Sequence, residues 1–173
     1  MEKQPRSFFE FQIVAGELKG RTIKAPQLAA TRPPLTRLRR AIFDFLVPFL
    51  RDASYLDLFS GTGSYLFEAV SRGAIRGVGV ELNRQLVDSI NNQAAGFGLS
   101  KRLACRCLDV FAAIEDLSEQ NEKFDIIMIA PPQYEGLIDR TLESLRSHPL
   151  TTEDSLILCQ HDSSETAGIN FQG

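Results

Sequence analysis

From residue 55 onward, short apolar runs alternate with longer stretches in which apolar residues recur at helical spacing. The apolar runs predict strands at 55–59, 76–81, 103–108, 124–130 and 155–160. The longer stretches predict helices at 65–72, 83–96, 110–119 and 135–146. Strands that alternate with helices form a mostly parallel, twisted sheet with helices on both faces. The pattern therefore predicts an α/β fold.

The first 52 residues follow a different pattern. Residues 8–25 alternate like a β-hairpin with strands at 8–14 and 20–24, and a linker containing proline and alanine follows at 26–34. A helix is then predicted from about residue 37 to residue 50, capped by Thr36. We expect this helix to pack on the body through a stripe of Leu38, Ile42, Phe45, Leu46 and Phe49. Residues 1–52 thus extend a core of residues 53–173 within a single compact domain.

A glycine turn joins the first core strand to its helix, because residues 55–64 read YLDLFSGTGS. Gly61 and Gly63 let the backbone turn sharply and approach a ligand closely. The next strand ends in Glu81, either a helix cap or the acid that Rossmann-like folds place on ribose hydroxyls. Asp57 is expected to be buried, where it accepts hydrogen bonds from the turn or faces a ligand's positively charged end. The third glycine of the dinucleotide fingerprint is missing, which disfavours a small dehydrogenase.

Composition narrows the class of protein. Hydrophobic residues make up 43% of the chain and charged residues 24%, as in ordinary globular domains. No apolar run approaches the roughly 20 residues that span a membrane, so we expect no membrane contact. Three cysteines without metal-site or redox spacing predict free thiols in a cytoplasmic protein. Cys105 and Cys107 alternate within a strand-like run, so we expect them to be buried. Two histidines are too few to suggest zinc, so we expect no metal.

Charge is distributed unevenly along the chain. Residues 1–52 carry a formal charge of +5, which leaves −8 on the other 121 residues of a chain whose net charge is −3. A basic arm on an acidic body favours a phosphate-rich partner that the arm engages. The alternative is a solvated basic face without a partner.

Two further strand ends carry candidate site residues. Asp109 could accept a hydrogen bond from an adenine amino group or cap the helix that begins after it. The strand at 124–130 runs into Pro131 and Pro132, which remove backbone donors and leave their carbonyls to face a substrate amine. Tyr134 can then supply a stacking face for a base.

The D-x-F-x-G-x-G order and the distal Glu81 resemble the class I S-adenosylmethionine-dependent methyltransferases. The double proline is similar to the [DN]PP[YF] motif of members that methylate exocyclic amino groups of bases. In that motif the leading side chain and the Pro carbonyl accept hydrogen bonds from the target nitrogen, which aims its lone pair at the methyl group. Here Ala130 leads, and Gln133 separates the prolines from Tyr134. Three interpretations remain: a lost catalytic acceptor, catalysis by the Pro131 carbonyl with another group, or a relative that only binds.

The basic arm carries a second resemblance. Residues 32–46, RPPLTRLRRAIFDFL, and the Lys19-Gly20-Arg21 stretch before them resemble the RsmD family. Members of this family are bacterial methyltransferases that modify a guanine N2 in small-subunit ribosomal RNA. The combined resemblance covers residues 11 to about 160. Departures include Thr36 for the family's Asp, Ser64-Tyr65 for its Ala/Ser-Leu, and Ala130.

The resemblance implies a role for each group of residues. The cofactor S-adenosylmethionine, which leaves as S-adenosylhomocysteine, would be held by Asp57, Phe59, Gly61, Gly63, Glu81, Leu82, Asp109 and Val110. The target base would be framed by Ala130, Pro131, Pro132 and Tyr134. RNA phosphates would be bound by Arg21, Arg32, Arg37, Arg39 and Arg40. For Arg37 and Arg39, contact with the cofactor or the fold is the alternative.

The same resemblance implies the partner and its alternatives. We expect the chain to act as a monomer on ribosomal RNA or on an assembling small ribosomal subunit. One alternative is a catalytically impaired relative that binds cofactor and RNA only. The other is an amine methyltransferase that acts on DNA.

Overall fold

The computed structural model describes residues 7–28, 34–132 and 136–161. A hairpin of β1 (Phe8–Gln12) and β2 (Thr22–Pro26) precedes a five-stranded sheet of β3 (Ser54–Asp57), β4 (Arg76–Glu81), β5 (Leu103–Cys107), β6 (Ile126–Ile129) and β7 (Leu156–Cys159). The helices are α1 (Thr36–Leu50), α2 (Ser64–Ser71), α3 (Arg84–Gly96), α4 (Val110–Glu119) and α5 (Leu137–Ser147). The predicted strands, helices and antiparallel hairpin are confirmed, with small shifts at their ends. The tail from residue 162 lies outside the described residues.

The order of the strands in the sheet indicates where a ligand would bind. Its strands run β5-β4-β3-β6-β7, and each neighbouring pair is parallel. The chain starts at β3, adds β4 and β5 on one side, and then crosses over to add β6 and β7 on the other. In open parallel sheets, ligands bind outside the carboxyl ends of the strands where the order reverses. Here that point lies between β3, which ends at Asp57, and β6, which ends at Ile129.

Two apolar clusters cover the two faces of the sheet, as the strand–helix alternation predicts. One cluster contains buried side chains of α1, α2, α3 and the hairpin, with Tyr55 and Met128 from the strands. The other contains buried side chains of α4 and α5, with Leu56 and Ile127 from the same strands. Consecutive residues of β3 and β6 therefore point to opposite faces, and the helices seal both of them.

The buried face of α1 differs from the predicted stripe. It consists of Arg39, Phe43, Leu46 and Leu50, which recur at helical spacing. Phe45 and Phe49 are 63% and 46% exposed, and their rings contact each other at 6.1 Å between centroids. Leu38 is exposed as well, and Ile42 is only partly buried. The expectation that Leu38, Phe45 and Phe49 pack on the body is wrong, because the side of the helix that faces inward is the one that carries Arg39. It is confirmed for Leu46.

The start of α1 also differs. Thr36 is the first helical residue, and the capping position is Leu35, which makes no side-chain cap. The prediction that Thr36 caps the helix is therefore wrong.

The hairpin is held against the body by α2. The Glu68 carboxylate accepts hydrogen bonds from the Val14 and Ala15 backbone N–H groups at 3.1 and 3.2 Å. Ser71 Oγ accepts from Leu18 N–H at 2.9 Å and donates to the Ala15 carbonyl at 2.6 Å. Gly16 has a φ of +90°, and a Cβ there would lie 1.8 Å from the Ser71 carbonyl oxygen. Only glycine permits this close approach of the hairpin turn to α2.

The cysteines are free thiols, as predicted. Cys105 is buried, and burial, together with the charge of Asp57, raises the pKa of its thiol to about 12. Cys107 and Cys159 are only partly buried, so the expectation of burial holds for Cys105 but not for Cys107. Among the described residues, no helix combines the length and apolar character that crossing a membrane requires.

Candidate active site

Asp57 lies at the carboxyl end of the central strand and is 0% exposed. One carboxylate oxygen, Oδ1, accepts a long hydrogen bond of 3.4 Å from the Phe59 backbone N–H. The other, Oδ2, is buried without a hydrogen-bond partner in the described part of the chain. Burial raises the pKa of Asp57 to about 7, the Phe59 N–H lowers it, and the charge of Glu81 raises it further. A buried carboxylate oxygen left in this way is satisfied by a ligand that brings a donor or a positive charge.

The glycine turn after β3 is held rigidly to β4. Gly61 and Gly63 have φ of +51° and +82°, a backbone region that favours glycine. Ser60 N–H donates to the Val80 carbonyl at 2.9 Å, and Ser60 Oγ accepts from Val80 N–H at 3.1 Å. The same hydroxyl donates to the Asp57 carbonyl at 3.1 Å. Ser60 therefore fixes the turn before any ligand binds.

Gly79 leaves the space that Ser60 occupies. A Cβ at this position would lie 2.5 Å from Ser60 Oγ and 2.8 Å from a Leu66 methyl carbon. Gly79→Ala is therefore expected to lower the free energy of unfolding by about 1–3 kcal/mol through overpacking. It should also weaken cofactor binding, because Ser60 must move and the turn moves with it. Urea denaturation and calorimetric titration would measure the two effects.

Gly96→Ala is the matched control for Gly79→Ala. Gly96 ends α3, and a Cβ there meets nothing within 4 Å. The stability of the Gly96→Ala variant should equal or slightly exceed that of the wild type, because alanine favours a helix more than glycine does. Equal losses in the two variants would contradict the overpacking argument.

Glu81, at the end of β4, faces the glycine turn. Its Oε2 accepts from Gly61 N–H at 2.9 Å, and its Oε1 accepts from Asn83 N–H at 2.9 Å. The cap of α3 is Asn83, whose side chain accepts from the N–H groups of the first helical turn. The alternative interpretation of Glu81 as the helix cap is therefore wrong. Each Glu81 oxygen keeps a further lone pair for a hydroxyl of a ligand.

Asp109 caps α4, which was one of its two predicted roles. Its Oδ1 accepts from Phe111 N–H at 2.9 Å and from Ala112 N–H at 3.4 Å.

Of the apolar residues predicted around the cofactor, Leu82 is 70% exposed, Phe59 is partly buried and Val110 is buried. An exposed leucine beside Glu81 offers an apolar surface to a flat ring.

The end of β6 carries the predicted catalytic segment. Ala130 follows the strand and packs against the core cluster that also contains Tyr65. Pro131 is partly exposed and Pro132 is exposed. Beside them, Gln160 at the end of β7 donates its backbone N–H to the Ile129 carbonyl at 2.9 Å. Tyr134 and Gln133 lie outside the described residues.

The predicted RNA-binding arginines separate into two groups. Arg39 is 0% exposed, pairs with Glu68 at 3.6 Å and donates to the Gln12 carbonyl at 2.6 Å. The prediction that Arg39 binds phosphate is wrong, and its alternative role in the fold is the one that the structure shows. Burial lowers the pKa of Arg39, while the charge of Glu68 opposes that effect.

The other described arginines that were predicted to bind RNA are exposed: Arg21, Arg37 and Arg40. Arg32 lies outside the described residues. A groove of about 550 Å³ runs beside the hairpin and the start of α1, and Lys19 and Arg40 are among the residues that line it. None of the described residues at the carboxyl ends of the five sheet strands lines this groove, so it is a surface separate from the site at Asp57.

Several residues of the site were not predicted from the sequence: Ser60, Asn83, Tyr65 and Gln160. Candidate residues were predicted at four strand ends, whereas Gln160 stands at the end of the fifth strand, β7. The same rule about carboxyl ends of parallel strands would have found it. Tyr65 gives no such signal, since its place in the site depends on a hydrogen bond from its hydroxyl to Gln160, which is 95 residues away in the sequence.

The chain is similar in sequence and fold to several known proteins. Ribosomal RNA small subunit methyltransferase D of Escherichia coli strain K12 is 27% identical over 157 residues, which cover 88% of this chain and 75% of that protein. The structure of a hypothetical protein of Thermus thermophilus is 29% identical, with a TM-score of 0.77 and coverage of 89% of this chain and 87% of that chain. A SAM-dependent methyltransferase from Agrobacterium tumefaciens, 14% identical, shares the fold with a TM-score of 0.69 over 94% of this chain and 55% of that one.

A family model described as "Conserved hypothetical protein 95" matches residues 11–171. The match includes most of the hairpin, all of α1, the glycine turn and every strand end of the candidate site. Because the family model spans nearly the whole sequence, the chain belongs to this family, which is the RsmD family that its motifs resemble.

Proposed function

We propose that this protein transfers a methyl group from S-adenosylmethionine to the exocyclic N2 of a guanine in small-subunit ribosomal RNA. Family membership supports an S-adenosylmethionine-dependent methyltransferase of ribosomal RNA. The observation that carries the assignment to this site is the buried Oδ2 of Asp57, which has no hydrogen-bond partner among the described residues. It lies beside the Gly61 turn and Glu81 at the reversal of strand order.

The residues at the strand ends fit S-adenosylmethionine, which supplies an activated methyl group on a positively charged sulfur. Asp57 offers its buried oxygen to the positively charged end of the cofactor, and Glu81 offers lone pairs to the ribose hydroxyls. Gly61 and Gly63 allow the backbone to approach closely. The remaining predicted cofactor residues would hold the adenine: Phe59, Leu82, Asp109 and Val110.

The end of β6 is the place of the target base. The Pro131 carbonyl accepts a hydrogen bond from the exocyclic amine, and Pro132 stiffens the segment. Tyr134 supplies a stacking face, and Ala130 brings no acceptor side chain. The base must leave its stack to reach the methyl donor. Orientation of the nitrogen lone pair toward the methyl group is the catalytic effect that such a site provides.

The N-terminal arm would hold the RNA. Arg21, Arg37 and Arg40 present exposed guanidinium groups, and Lys19 adds a charge to the groove beside α1. Guanidinium groups pair with phosphates through two hydrogen bonds, and Arg32 in the adjoining linker would add a further contact. The body carries the opposite net charge, so attraction to RNA is concentrated on the arm.

A charge reversal on the arm should weaken RNA binding. The double substitution Arg37→Glu and Arg40→Glu is expected to lower affinity for a ribosomal RNA fragment by about tenfold or more and to reduce the salt dependence of binding. Fluorescence anisotropy at two salt concentrations would measure both. Arg51→Glu is the control, because Arg51 is 93% exposed at the other end of α1. An equal loss in the control would mean that only net charge matters.

The function itself is tested by calorimetric titration of S-adenosylmethionine and S-adenosylhomocysteine, followed by methyl transfer to ribosomal RNA from cells that lack the modification. We expect micromolar binding and a product that mass spectrometry identifies as N2-methylguanosine. Binding without transfer would mean a catalytically impaired relative. Methyl transfer to an amine of DNA in preference to RNA would mean that the substrate is DNA. If neither S-adenosylmethionine nor S-adenosylhomocysteine binds, the methyltransferase assignment is overturned.

A further inference from the structure

Position 130 holds an alanine, which has no polar side chain, but the residue beside it on the neighbouring strand end is Gln160. Strand β7 pairs with β6 so that Cys159 is level with Ile129, and the Gln160 N–H donates to the Ile129 carbonyl at 2.9 Å. Gln160 is therefore the neighbour of Ala130 across the two strand ends. The Gln160 side chain accepts a hydrogen bond from Tyr65 Oη at 2.6 Å.

Tyr65, whose hydroxyl contacts Gln160, belongs to the helix that follows the glycine turn. It is the second residue of α2, two positions after Gly63, and it is 5% exposed. Its ring packs against Phe43 with centroids 5.8 Å apart. Burial and the charge of Asp57 raise the pKa of Tyr65 above its ordinary value, so the phenol stays protonated. The hydroxyl is thus anchored between the glycine turn and Gln160 at the end of β7, the strand that pairs with β6.

The bond to Gln160 decides what the Tyr65 hydroxyl can offer to a ligand. A phenol carries one proton, and Tyr65 gives it to Gln160 Oε1, which has no proton of its own. The phenol oxygen then has only lone pairs left. For any other group, Tyr65 Oη is an acceptor, which is the hydrogen-bonding character of a carboxylate or amide oxygen at position 130.

We propose that Tyr65 Oη, oriented by Gln160, accepts a hydrogen bond from the target exocyclic amine in place of the acceptor that Ala130 lacks. This inference rests on the proposed function and names a residue that completes it. Tyr65 and the Pro131 carbonyl together hold the two N–H bonds of the amine, so that the nitrogen lone pair faces the methyl group. Tyr65 touches the substrate and is catalytic, whereas Gln160 is a positioning residue.

Methyl transfer to the amine needs no base from the protein. The nitrogen lone pair forms the new carbon–nitrogen bond, the carbon–sulfur bond breaks, and sulfur keeps the electron pair in S-adenosylhomocysteine. The extra proton on nitrogen leaves to water, because Tyr65 already carries its own proton. The hydroxyl therefore aims the amine and does not deprotonate it.

Steady-state kinetics of Tyr65→Phe test the proposal. We expect kcat for methyl transfer to fall about tenfold, in line with the loss of one net hydrogen bond. The KM for S-adenosylmethionine and the calorimetric affinity for S-adenosylhomocysteine should stay within about twofold. Gln160→Leu should lower kcat in the same way, whereas Gln160→Glu keeps an acceptor for the Tyr65 proton and should retain most of kcat. Unchanged kcat in both Tyr65→Phe and Gln160→Leu would overturn the proposal.

A rescue experiment separates an acceptor role from a structural one. Ala130→Asp restores an acceptor at position 130, so adding it to Tyr65→Phe should recover kcat. Equal damage with and without Ala130→Asp would mean that Tyr65 only supports the fold. The wild-type protein is measured in parallel: if it transfers no methyl group, the proposed function fails, and if it transfers normally while Tyr65→Phe matches it, only the role of Tyr65 fails.

Discussion

Replacing Glu68 by alanine should lower the free energy of unfolding by about 3–5 kcal/mol, the usual cost of breaking a buried ion pair from one side. Glu68 is 0% exposed and contacts Arg39 at 3.6 Å and Arg72 at 2.9 Å. Its removal leaves the Arg39 cation buried without its partner, and it also leaves the Val14 and Ala15 N–H groups unsatisfied. The hairpin should loosen first, because these two donors are among its contacts with α2.

Urea denaturation measures the loss, and hydrogen exchange of the hairpin amides shows where it begins. Glu143→Ala is the matched control, since Glu143 pairs with Arg146 at 3.1 Å on the surface of α5 with both side chains about two-thirds exposed. Exposed pairs contribute about 0–1 kcal/mol, so the control should change little. A loss of less than about 1 kcal/mol in Glu68→Ala would contradict the view that this carboxylate holds the arm to the body.

Cofactor affinity should fall about tenfold for each pH unit below 7, and Asp57→Asn should remove that dependence. The pKa of Asp57 is raised to about 7 by burial, so the carboxylate is largely protonated at pH 6. A positively charged ligand prefers the ionised form, which means that binding below pH 7 must first release a proton. At pH 8 the Asp57→Asn variant should bind S-adenosylhomocysteine about a hundredfold more weakly, because a charge-assisted hydrogen bond is lost.

Calorimetric titration between pH 5.5 and pH 8.5 measures both effects. Asp88→Asn, an exposed substitution on α3, is the control and should bind like the wild type. A pH-independent affinity in the wild-type protein would contradict the assigned role of Asp57.

Without a ligand, the same carboxyl group should make the protein less stable as the pH rises. Its folded pKa of about 7 lies above the ordinary value of 3.8, so the folded state holds the proton more tightly than the unfolded chain. The stabilising contribution is complete below pH 3.8 and is lost as the pH rises through 7. The full difference corresponds to about 4 kcal/mol. Denaturation of Asp57→Asn should therefore show a shallower decline between pH 4 and pH 7.

The fold and the placement of the candidate cofactor residues at strand ends could be predicted because their signals are local. The period of apolar residues determines each strand and helix, and Gly61, Gly63 and Glu81 stand at the ends of predicted strands. The positions that sequence reasoning misassigned depend on contacts between distant segments. Arg39 is an ordinary basic residue in the sequence, and its burial depends on Glu68 from a different helix. Likewise, the role that we propose for Tyr65 depends on its contact with Gln160, which the chain brings back at the end of β7.

The helix that follows the glycine turn also determines what insertions the chain can tolerate. Helix α2 begins directly after Gly63 at the cofactor turn, and eight residues later it ends at Ser71 against the hairpin. One inserted or deleted residue would rotate one end of this helix by about 100° relative to the other. Glu68 and Ser71 would then point away from the hairpin while the turn stayed in place. The length of α2 should therefore be invariant through evolution, and the N-terminal arm should be inherited with the cofactor turn as one unit, even in descendants whose loops elsewhere grow or shrink.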